Sequence, residues 1–194
     1  MKKLYSIIEY RKLFIATALQ RVAEVFFKYP DKEFSLSDIA KEAGVAKANT
    51  GKILENLEKS GFILIEKLAK IWRIRANRSS QHYLRSKIVY NLNFAYQSGL
   101  VEFLAKEYNN PKSIILFGSF RKGEDVSSSD IDIAIEKEET KEYKTLFLKE
   151  LADYEKFIRR RIQLHEFNRK IVDIHIFNNI ANGIVLYGFL EVKK

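Results

Sequence analysis

The segment from Gly118 to Ile135 constrains the fold of this chain more than any other, because it joins a small turn to a pair of acidic residues. Gly118 and Ser119 are followed, after ten residues, by Asp130-Ile131-Asp132, which opens an apolar run. Carboxylates two positions apart on a strand point to the same face. Such a face offers the oxygen ligands that Mg²⁺ prefers and usually shares with substrate phosphates. A turn of small residues lets backbone N–H groups approach a phosphate, so the segment predicts phosphoryl or nucleotidyl transfer.

The composition is that of a folded protein without disulfides. The chain has 194 residues, of which 46% are hydrophobic, and it contains no cysteine, which excludes disulfide bonds and thiolate metal sites. It has no apolar run of about 18 residues or more, so a transmembrane helix is not expected. The first residues lack the apolar core of a signal peptide. We therefore expect a cytoplasmic protein.

The basic residues are concentrated in the N-terminal part of the chain. Residues 1–80 contain 16 Lys and Arg against 9 Asp and Glu, whereas residues 111–194 contain 15 against 14. An asymmetry of this kind indicates two modules, of which the first has an affinity for polyanions. A generally lysine-rich proteome would give the same composition, and both interpretations stay open at this point.

Apolar periodicity and turn residues predict a compact order of elements in residues 1–79. Ser35 is a good N-cap with Asp38 three residues later, and Gly44 is a favoured helix terminator. The predicted elements are a helix over residues 12–29, a helix over Leu36–Ala43, a helix over Ala46–Ser60, and strands over Phe62–Lys67 and Ile71–Arg75. Residues 36–63 resemble the DNA-binding helix pair of MarR- and ArsR-like regulators. The resemblance implies a winged helix-turn-helix domain that binds DNA.

The second helix of such a pair enters the major groove with its first residues near base edges. Asn and Lys side chains can read adenine and guanine edges there. The candidate DNA-binding residues lie on this helix and on the ribbon formed by the two predicted strands and their connection, residues 62–75: Lys47, Asn49, Thr50, Lys52, Lys67, Lys70 and Arg73. The alternative is a solvated helix face with lysines that protect an edge strand, or a surface that contacts protein instead of DNA.

Residues 80–109 predict a helical connector, because they carry an apolar stripe that no proline interrupts. Gly99 weakens this helix by up to about 1 kcal/mol relative to alanine. The apolar spacing drifts too much for sustained heptads. A connector packed on its neighbours is therefore favoured, and a surface that forms a homodimer stays an alternative.

Residues 110–194 alternate between short apolar runs and amphipathic stretches, which predicts a small mixed sheet with helices. The predicted elements are strands over Ser113–Phe117, Asp130–Ile135 and Ile171–Phe177, a long amphipathic helix over Tyr143–Phe167 with a basic end at Arg159–Arg161, and a terminal helix around Ile180–Leu190. On the third strand, Asp173 lies on the face opposite Val172 and Ile174.

The combination of Gly118-Ser119, Asp130-Ile131-Asp132 and a later strand with Asp173 resembles the polymerase-β-like nucleotidyltransferase superfamily, and above all its minimal members. The resemblance implies that Asp130, Asp132 and Asp173 are catalytic residues that hold one or two Mg²⁺ ions. The candidate nucleotide-binding residues are Gly118, Ser119, Arg121, Lys122 and Ser129. Each of these residues also has an alternative interpretation. Asp130 and Asp132 would be a polar strand face at a solvent edge, and Asp173 an ordinary surface aspartate. Arg121 and Lys122 would be loop cations without a binding role.

The fold class that we expect is therefore multi-domain α+β. It consists of a winged helix-turn-helix domain in residues 1–79, a helical connector in residues 80–109, and a nucleotidyltransferase domain with a small mixed sheet in residues 110–194. The superfamily's larger members have a further domain that grips the base and the acceptor. Here we expect those contacts to come from a dimer mate, another protein or the N-terminal modules.

The resemblance implies a Mg²⁺-dependent transfer of a nucleoside monophosphate, in the first place AMP, from a nucleoside triphosphate to a macromolecular hydroxyl. For minimal nucleotidyltransferases it also implies an antitoxin role, with a HEPN-type toxin partner that is modified on tyrosine. The alternative function is a transcriptional regulator whose C-terminal domain senses a nucleotide without turnover.

Overall fold

The chain forms two units that meet at the Tyr90–Asn91 bond. The computed structural model describes residues 17–68 and 71–192, and the N-terminal unit extends to Tyr90 while the C-terminal unit begins at Asn91. The boundary falls within a helix of the segment that the sequence assigns to the connector. The predicted division at residues 79 and 109 stays a prediction.

The N-terminal unit has the predicted order of helices and strands, with one additional short strand. Its elements are α1 (Ala18–Lys28), β1 (Glu33–Phe34), α2 (Leu36–Ala43), α3 (Lys47–Lys59), β2 (Ile63–Leu68), β3 (Ile71–Ala76) and the first part of α4 (Gln81–Gln97). The three strands form an antiparallel sheet in the order β1-β3-β2. Residues 12–16 of the predicted first helix lie outside the described residues.

The start and end of α2 are fixed by residues that the sequence had marked. The Ser35 hydroxyl accepts a hydrogen bond from the Asp38 backbone N–H at 3.2 Å, and the Asp38 carboxylate accepts one from the Ser35 N–H at 3.1 Å. This reciprocal pair satisfies two of the donors that a helix N-terminus leaves open. Gly44 follows the helix with φ of 61°, a conformation that glycine adopts without strain. The predicted bounds of this helix are confirmed.

An aromatic core holds the N-terminal helices on the ribbon. Phe26, Phe27 and Phe62 are buried and meet largely edge to face, with Tyr83 of α4 against them. The Tyr83 hydroxyl donates to the carbonyl oxygen of Phe26 at 2.9 Å, so its polar atom is satisfied inside the core.

The C-terminal unit is built on a five-stranded mixed sheet. Its elements are the end of α4, α5 (Leu100–Glu107), β4 (Ser113–Phe117), α6 (Gly118–Lys122), β5 (Ile131–Glu136), β6 (Lys144–Leu146), a 3₁₀ turn (Lys149–Leu151), α7 (Ala152–Ile158), β7 (Ile162–Phe167), α8 (Ile174–Ala181) and β8 (Ile184–Gly188). The strand order is β6-β7-β5-β4-β8. Strands β5 and β7 are parallel, and the other neighbours are antiparallel. The mixed sheet predicted for this part of the chain is confirmed.

The predicted connector is two helices instead of one. Gly99 separates α4 from α5 and has φ of 79°, a left-handed conformation that interrupts the helix. Among the described residues, no helix combines the length and the apolar character needed to cross a membrane.

The long helix predicted over Tyr143–Phe167 is wrong. The segment contains β6, the 3₁₀ turn, α7 and β7, and the helical part ends at Arg159, which has φ of 58°. Because β7 is buried in the middle of the sheet, strand pairing outweighs the helical spacing of its apolar residues.

The last two predicted elements are also wrong. The strand predicted over Ile171–Phe177 is a turn followed by α8, and the helix predicted around Ile180–Leu190 is the end of α8 followed by β8. Asp173 caps α8, and Gly183 lies between α8 and the β-branched start of β8, so the chain changes from helix to strand at that glycine.

Replacing Ser35 with alanine removes the side-chain half of the α2 cap. We expect the free energy of unfolding of the N-terminal unit to fall by about 1 kcal/mol, the usual cost of losing a serine N-cap. The matched control is Ser79→Ala, at an exposed position, which should change that free energy by less than about 0.5 kcal/mol. Urea denaturation followed by circular dichroism measures both, and equal effects of the two changes would contradict the cap.

Candidate active site

The turn between β4 and α6 requires a glycine. Gly118 follows the buried strand directly and has φ of 73°, a region that residues with a Cβ atom avoid. Ser119 is the next residue, and Gly123, with φ of 71°, ends the five-residue helix α6. The predicted Gly-Ser turn therefore lies at the end of a central strand, where its backbone is partly exposed.

The turn lies directly against one of the two predicted carboxylates. Asp132 is opposite Phe117 in the antiparallel pairing of β4 with β5. A Cβ atom added at Gly118 would be 2.2 Å from Asp132 Oδ2, closer than any real contact. The absence of a side chain at residue 118 thus allows the carboxylate to lie on the turn.

Asp130 and Asp132 have the relation that the sequence predicts. Asp130 immediately precedes β5, Asp132 is its second residue, and both side chains are partly exposed. Residues two positions apart in extended chain point to one side. The intervening Ile131 is buried, and its N–H donates to the carbonyl oxygen of Arg161 at 2.8 Å, which anchors the start of the strand.

A buried charge pair fixes the loop between α6 and β5. Asp125 and Arg160 form an ion pair at 3.3 Å, with side chains only 1% and 3% exposed. The Asn91 side-chain amide donates to Asp125 Oδ1 at 3.0 Å and to the carbonyl oxygen of Phe120 at 2.7 Å. Buried charges persist where they are paired and hydrogen-bonded, so this network sets the path of the chain from the Gly-Ser turn to Asp130.

The other predicted nucleotide-binding residues are in or near the same turn. Arg121 and Lys122 are in the last turn of α6; Arg121 is partly exposed and Lys122 is exposed. The Ser129 hydroxyl accepts a hydrogen bond from the Val126 N–H at 2.9 Å, which closes the turn before Asp130. Ser129 therefore has a structural contact in addition to the role predicted for it.

Sequence reasoning missed two residues near Asp132: His165, which contacts its carboxylate, and Tyr143, which contacts His165. His165 of β7 has its Nε2 3.1 Å from Asp132 Oδ1 and its Nδ1 2.5 Å from the hydroxyl of Tyr143. The pKa of Tyr143 is raised by burial and by the negative charge of Asp132. Both residues fell in the segment predicted as a long helix. The alternation of the apolar Ile162 and Leu164 with the polar Gln163 and His165 is the sequence signal that could have indicated β7.

Asp173 is not on a strand beside the other two aspartates. It is the N-cap of α8, and its Oδ1 accepts hydrogen bonds from the N–H groups of His175 at 2.8 Å and Ile176 at 3.4 Å. In the described ranges, no group of three His, Cys, Asp or Glu residues is placed to hold a metal ion. The predicted three-carboxylate site is therefore not assembled.

The residue across from Asp132 on β7 is Gln163, an amide. The carboxylates available to a metal ion at this edge of the sheet are therefore those of Asp130 and Asp132. Mg²⁺ is commonly bound by one or two carboxylates with substrate phosphates and waters. The two aspartates fit a single Mg²⁺ of that kind.

In the N-terminal unit, the start of α3 presents three of the predicted DNA-binding side chains. Lys47, Asn49 and Lys52 are exposed. Thr50 is fully buried, and its hydroxyl donates to the carbonyl oxygen of Ala46 at 3.1 Å. The prediction of Thr50 as a DNA-binding residue is therefore wrong, because its side chain belongs to the buried stripe of the helix.

The ribbon carries two of the remaining candidates. The Lys67 ammonium lies 4.6 Å from the centre of the Trp72 ring. Arg73 donates to Glu33 at 2.6 Å and pairs with Glu66 at 3.6 Å, so its guanidinium already neutralises two carboxylates. Lys70 lies outside the described residues.

Comparisons with known proteins find similarity in the C-terminal part of the chain. Residues 100–189 match the family described as "Polymerase beta, Nucleotidyltransferase". A protein of Methanocaldococcus jannaschii named "Putative protein adenylyltransferase MJ1215" is 49% identical over 49 residues, which are 25% of this chain and 55% of that protein. The chain thus spans about half the length of the relative that it matches. No solved structure matches the chain.

Gly118→Ala tests the contact between the turn and Asp132. Both Gly118 and Gly99 have positive φ, but a Cβ atom at Gly99 would have nothing within 4 Å. Gly99→Ala should therefore cost only the backbone term, about 1 kcal/mol, whereas Gly118→Ala must also displace a carboxylate. We expect the first change to lower the melting temperature slightly and the second to lower it clearly more. Equal shifts would mean that Asp132 moves away at no cost.

Proposed function

We propose that this chain transfers a nucleoside monophosphate from a nucleoside triphosphate to a macromolecular hydroxyl and releases pyrophosphate. The match of residues 100–189 to the family described as "Polymerase beta, Nucleotidyltransferase" supports this proposal. The observation that carries the proposal is the position of Asp132 against the Gly118 turn, with Asp130 on the same side. The turn to which we assign phosphate binding is thereby adjacent to the carboxylate pair. The name of the Methanocaldococcus relative supports AMP as the group transferred and a protein as the acceptor.

Each part of the site has a role in this proposal. The backbone of Gly118 and Ser119 binds the phosphates of the nucleotide. Asp130 and Asp132 hold one Mg²⁺, which supplies charge stabilisation for the phosphoryl oxygens when it is bound. Arg121 and Lys122 offset the negative charge of the departing pyrophosphate, as positioned cations do in phosphoryl transfer.

We propose DNA binding as a second function, carried by the exposed side chains at the start of α3. Lys47, Asn49 and Lys52 project from the first turns of a helix that follows α2 after a short turn, and the N-terminal 80 residues carry an excess of basic side chains. This arrangement supports a winged helix-turn-helix that reads the major groove.

The two functions are compatible, since an autoregulating antitoxin would have both. On the resemblance to minimal nucleotidyltransferases, we propose that the acceptor is a tyrosine of a HEPN-type toxin. Incubation of the protein with Mg²⁺, labelled ATP and candidate partner proteins tests this, and labelled partner is the expected result. Metal-dependent nucleotide binding without any labelled product would favour the alternative, a regulator that senses nucleotide without turnover.

Asp130→Asn should abolish transfer and leave the fold intact. Asparagine keeps the size of the side chain and one oxygen but removes the charge that offsets Mg²⁺. We expect AMP incorporation to fall below about one hundredth of the parent rate. Saturation with Mg²⁺ and nucleotide at about 100 times the dissociation constant should stabilise the parent by about 2.7 kcal/mol, and the mutant by less.

The matched control for this change is Asp153→Asn, an exposed aspartate in the first turn of α7. It should retain parental transfer and the parental gain in melting temperature with Mg²⁺ and nucleotide. If Asp130→Asn gained as much stability as the parent, Asp130 would not be a metal ligand.

Replacing Lys47 and Asn49 with alanine should reduce sequence preference in DNA binding. Each lost base contact costs about 1–3 kcal/mol of discrimination, so the ratio of specific to random affinity should fall by at least about tenfold. Lys59→Ala is the control, because Lys59 is exposed at the other end of α3, about 18 Å along the helix axis. Fluorescence anisotropy at several salt concentrations measures the affinities. Equal losses for all three residues would indicate nonspecific attraction only.

A further inference from the structure

His165 is held between two polar partners at the edge of the carboxylate pair. Its side chain is 8% exposed, and each ring nitrogen has a partner: Nε2 lies 3.1 Å from Asp132 Oδ1 and Nδ1 lies 2.5 Å from the Tyr143 hydroxyl. The sheet register explains the geometry. His165 pairs with Ala134 and lies on the same face as Asp132, one step further along the neighbouring strand.

The hydrogen-bond partners define which ring nitrogen carries the hydrogen. A neutral imidazole has one donor and one acceptor nitrogen, a carboxylate only accepts, and a phenol can donate. The Tyr143 O–H therefore donates to Nδ1, and Nε2–H donates to Asp132 Oδ1. Both contacts are satisfied by a single tautomer of His165. The Asp132 carboxylate selects it because it can only accept, and the Tyr143 hydroxyl, which can donate or accept, matches it.

Packing keeps both rings in place. The His165 ring meets the Phe117 ring nearly edge-on at 4.9 Å between centres, and the Tyr143 ring packs against a buried cluster that includes Ile115 and Phe167. Because these neighbours restrict the rotation of the His165 ring, its Nε2–H keeps a fixed direction toward Asp132.

The consequence for Asp132 is that its two oxygens have different surroundings. Oδ1 accepts the hydrogen bond from His165, whereas Oδ2 lies against the Gly118 turn. Carboxylates and histidines that bind metals are commonly oriented by outer hydrogen bonds, and the loss of such a partner typically weakens metal affinity or activity by about 10–100-fold.

We propose that His165 is a positioning residue that orients Asp132 toward a Mg²⁺–nucleotide complex, and that the hydrogen bond from Tyr143 to Nδ1 holds the His165 ring in the orientation in which it does so. At this edge of the sheet, the adjacent strand β7 thus contributes a hydrogen-bond donor where a third carboxylate had been expected. The proposal rests on the proposed function, because the Mg²⁺–nucleotide complex is the ligand of the oriented carboxylate.

The test compares His165→Phe, His165→Gln and Tyr143→Phe with the parent. Phenylalanine keeps a ring but has no donor, and glutamine can place an amide N–H near the position of Nε2. His175→Phe is the matched control, since His175 is an exposed histidine of the same unit. Isothermal titration with Mg²⁺ and a nonhydrolysable ATP analogue gives the dissociation constant without turnover, and melting temperatures show whether each variant folds.

We expect His165→Phe to weaken the Mg²⁺-dependent part of analogue binding by about 10–100-fold. His165→Gln should recover most of that loss, Tyr143→Phe should lose less than His165→Phe, and His175→Phe should bind as the parent does. A folded His165→Phe protein with parental affinity would overturn the proposal. So would a glutamine variant as weak as the phenylalanine variant, because the donor would then not matter.

NMR of the histidine rings tests the proposal independently of nucleotide binding. The chain has three histidines, and ring ¹⁵N shifts assigned with His165→Phe should show His165 as the Nε2–H tautomer. Tyr143→Phe should leave this tautomer in place, because Asp132 still accepts from Nε2–H, but it should shift the Nδ1 signal, because that nitrogen loses its hydrogen-bond donor. If the parent protein does not bind the Mg²⁺–analogue complex, the proposed function fails. The tautomer of His165 then still shows whether its Nε2–H donates to Asp132. A His165 signal that is the same with and without the Tyr143 hydroxyl would overturn the role of Tyr143.

Discussion

The parallel pairing of β5 with β7 decides which side chains surround Asp132. Parallel neighbours need a long crossover, and here residues 137–161 supply it. The register places Gln163 opposite Asp132 and His165 one step beyond, on the same face. A slip by one residue would turn Leu164 to that face and His165 away. The chemistry at this edge of the sheet is therefore a consequence of strand register more than of local sequence.

Where local signals determine structure, the sequence was sufficient. The Ser35–Asp38 pair and Gly44 bound α2, and the apolar run Ser113–Phe117 with its following glycine predicted both β4 and the turn that lies on Asp132. These features depend on hydrogen bonds between near neighbours and on backbone conformations that favour one residue type. Such effects act without knowledge of the rest of the chain.

Where the chain changes direction without a typical residue, the sequence was not sufficient. The helix before β7 ends at Arg159 in the left-handed region, a position that usually has glycine or asparagine. Asp173 lies between residues that alternate like a strand, yet it also suits the N-cap position that it occupies. Thr50 is different, because it shares the helical stripe of Ile53, Leu54 and Leu57, so its burial was readable from the spacing.

The ion pair of Asp125 with Arg160 links two parts of the chain that are far apart in sequence. Removing one member of a buried pair costs about 3–5 kcal/mol, whereas replacing both by apolar residues of similar size can be neutral. The two positions are therefore coupled in their effect on stability: a change of either residue alone leaves an uncompensated buried charge, and a change of both does not. The anchor of the loop that leads to Asp130 can thus be exchanged only together with Arg160, two residues before β7.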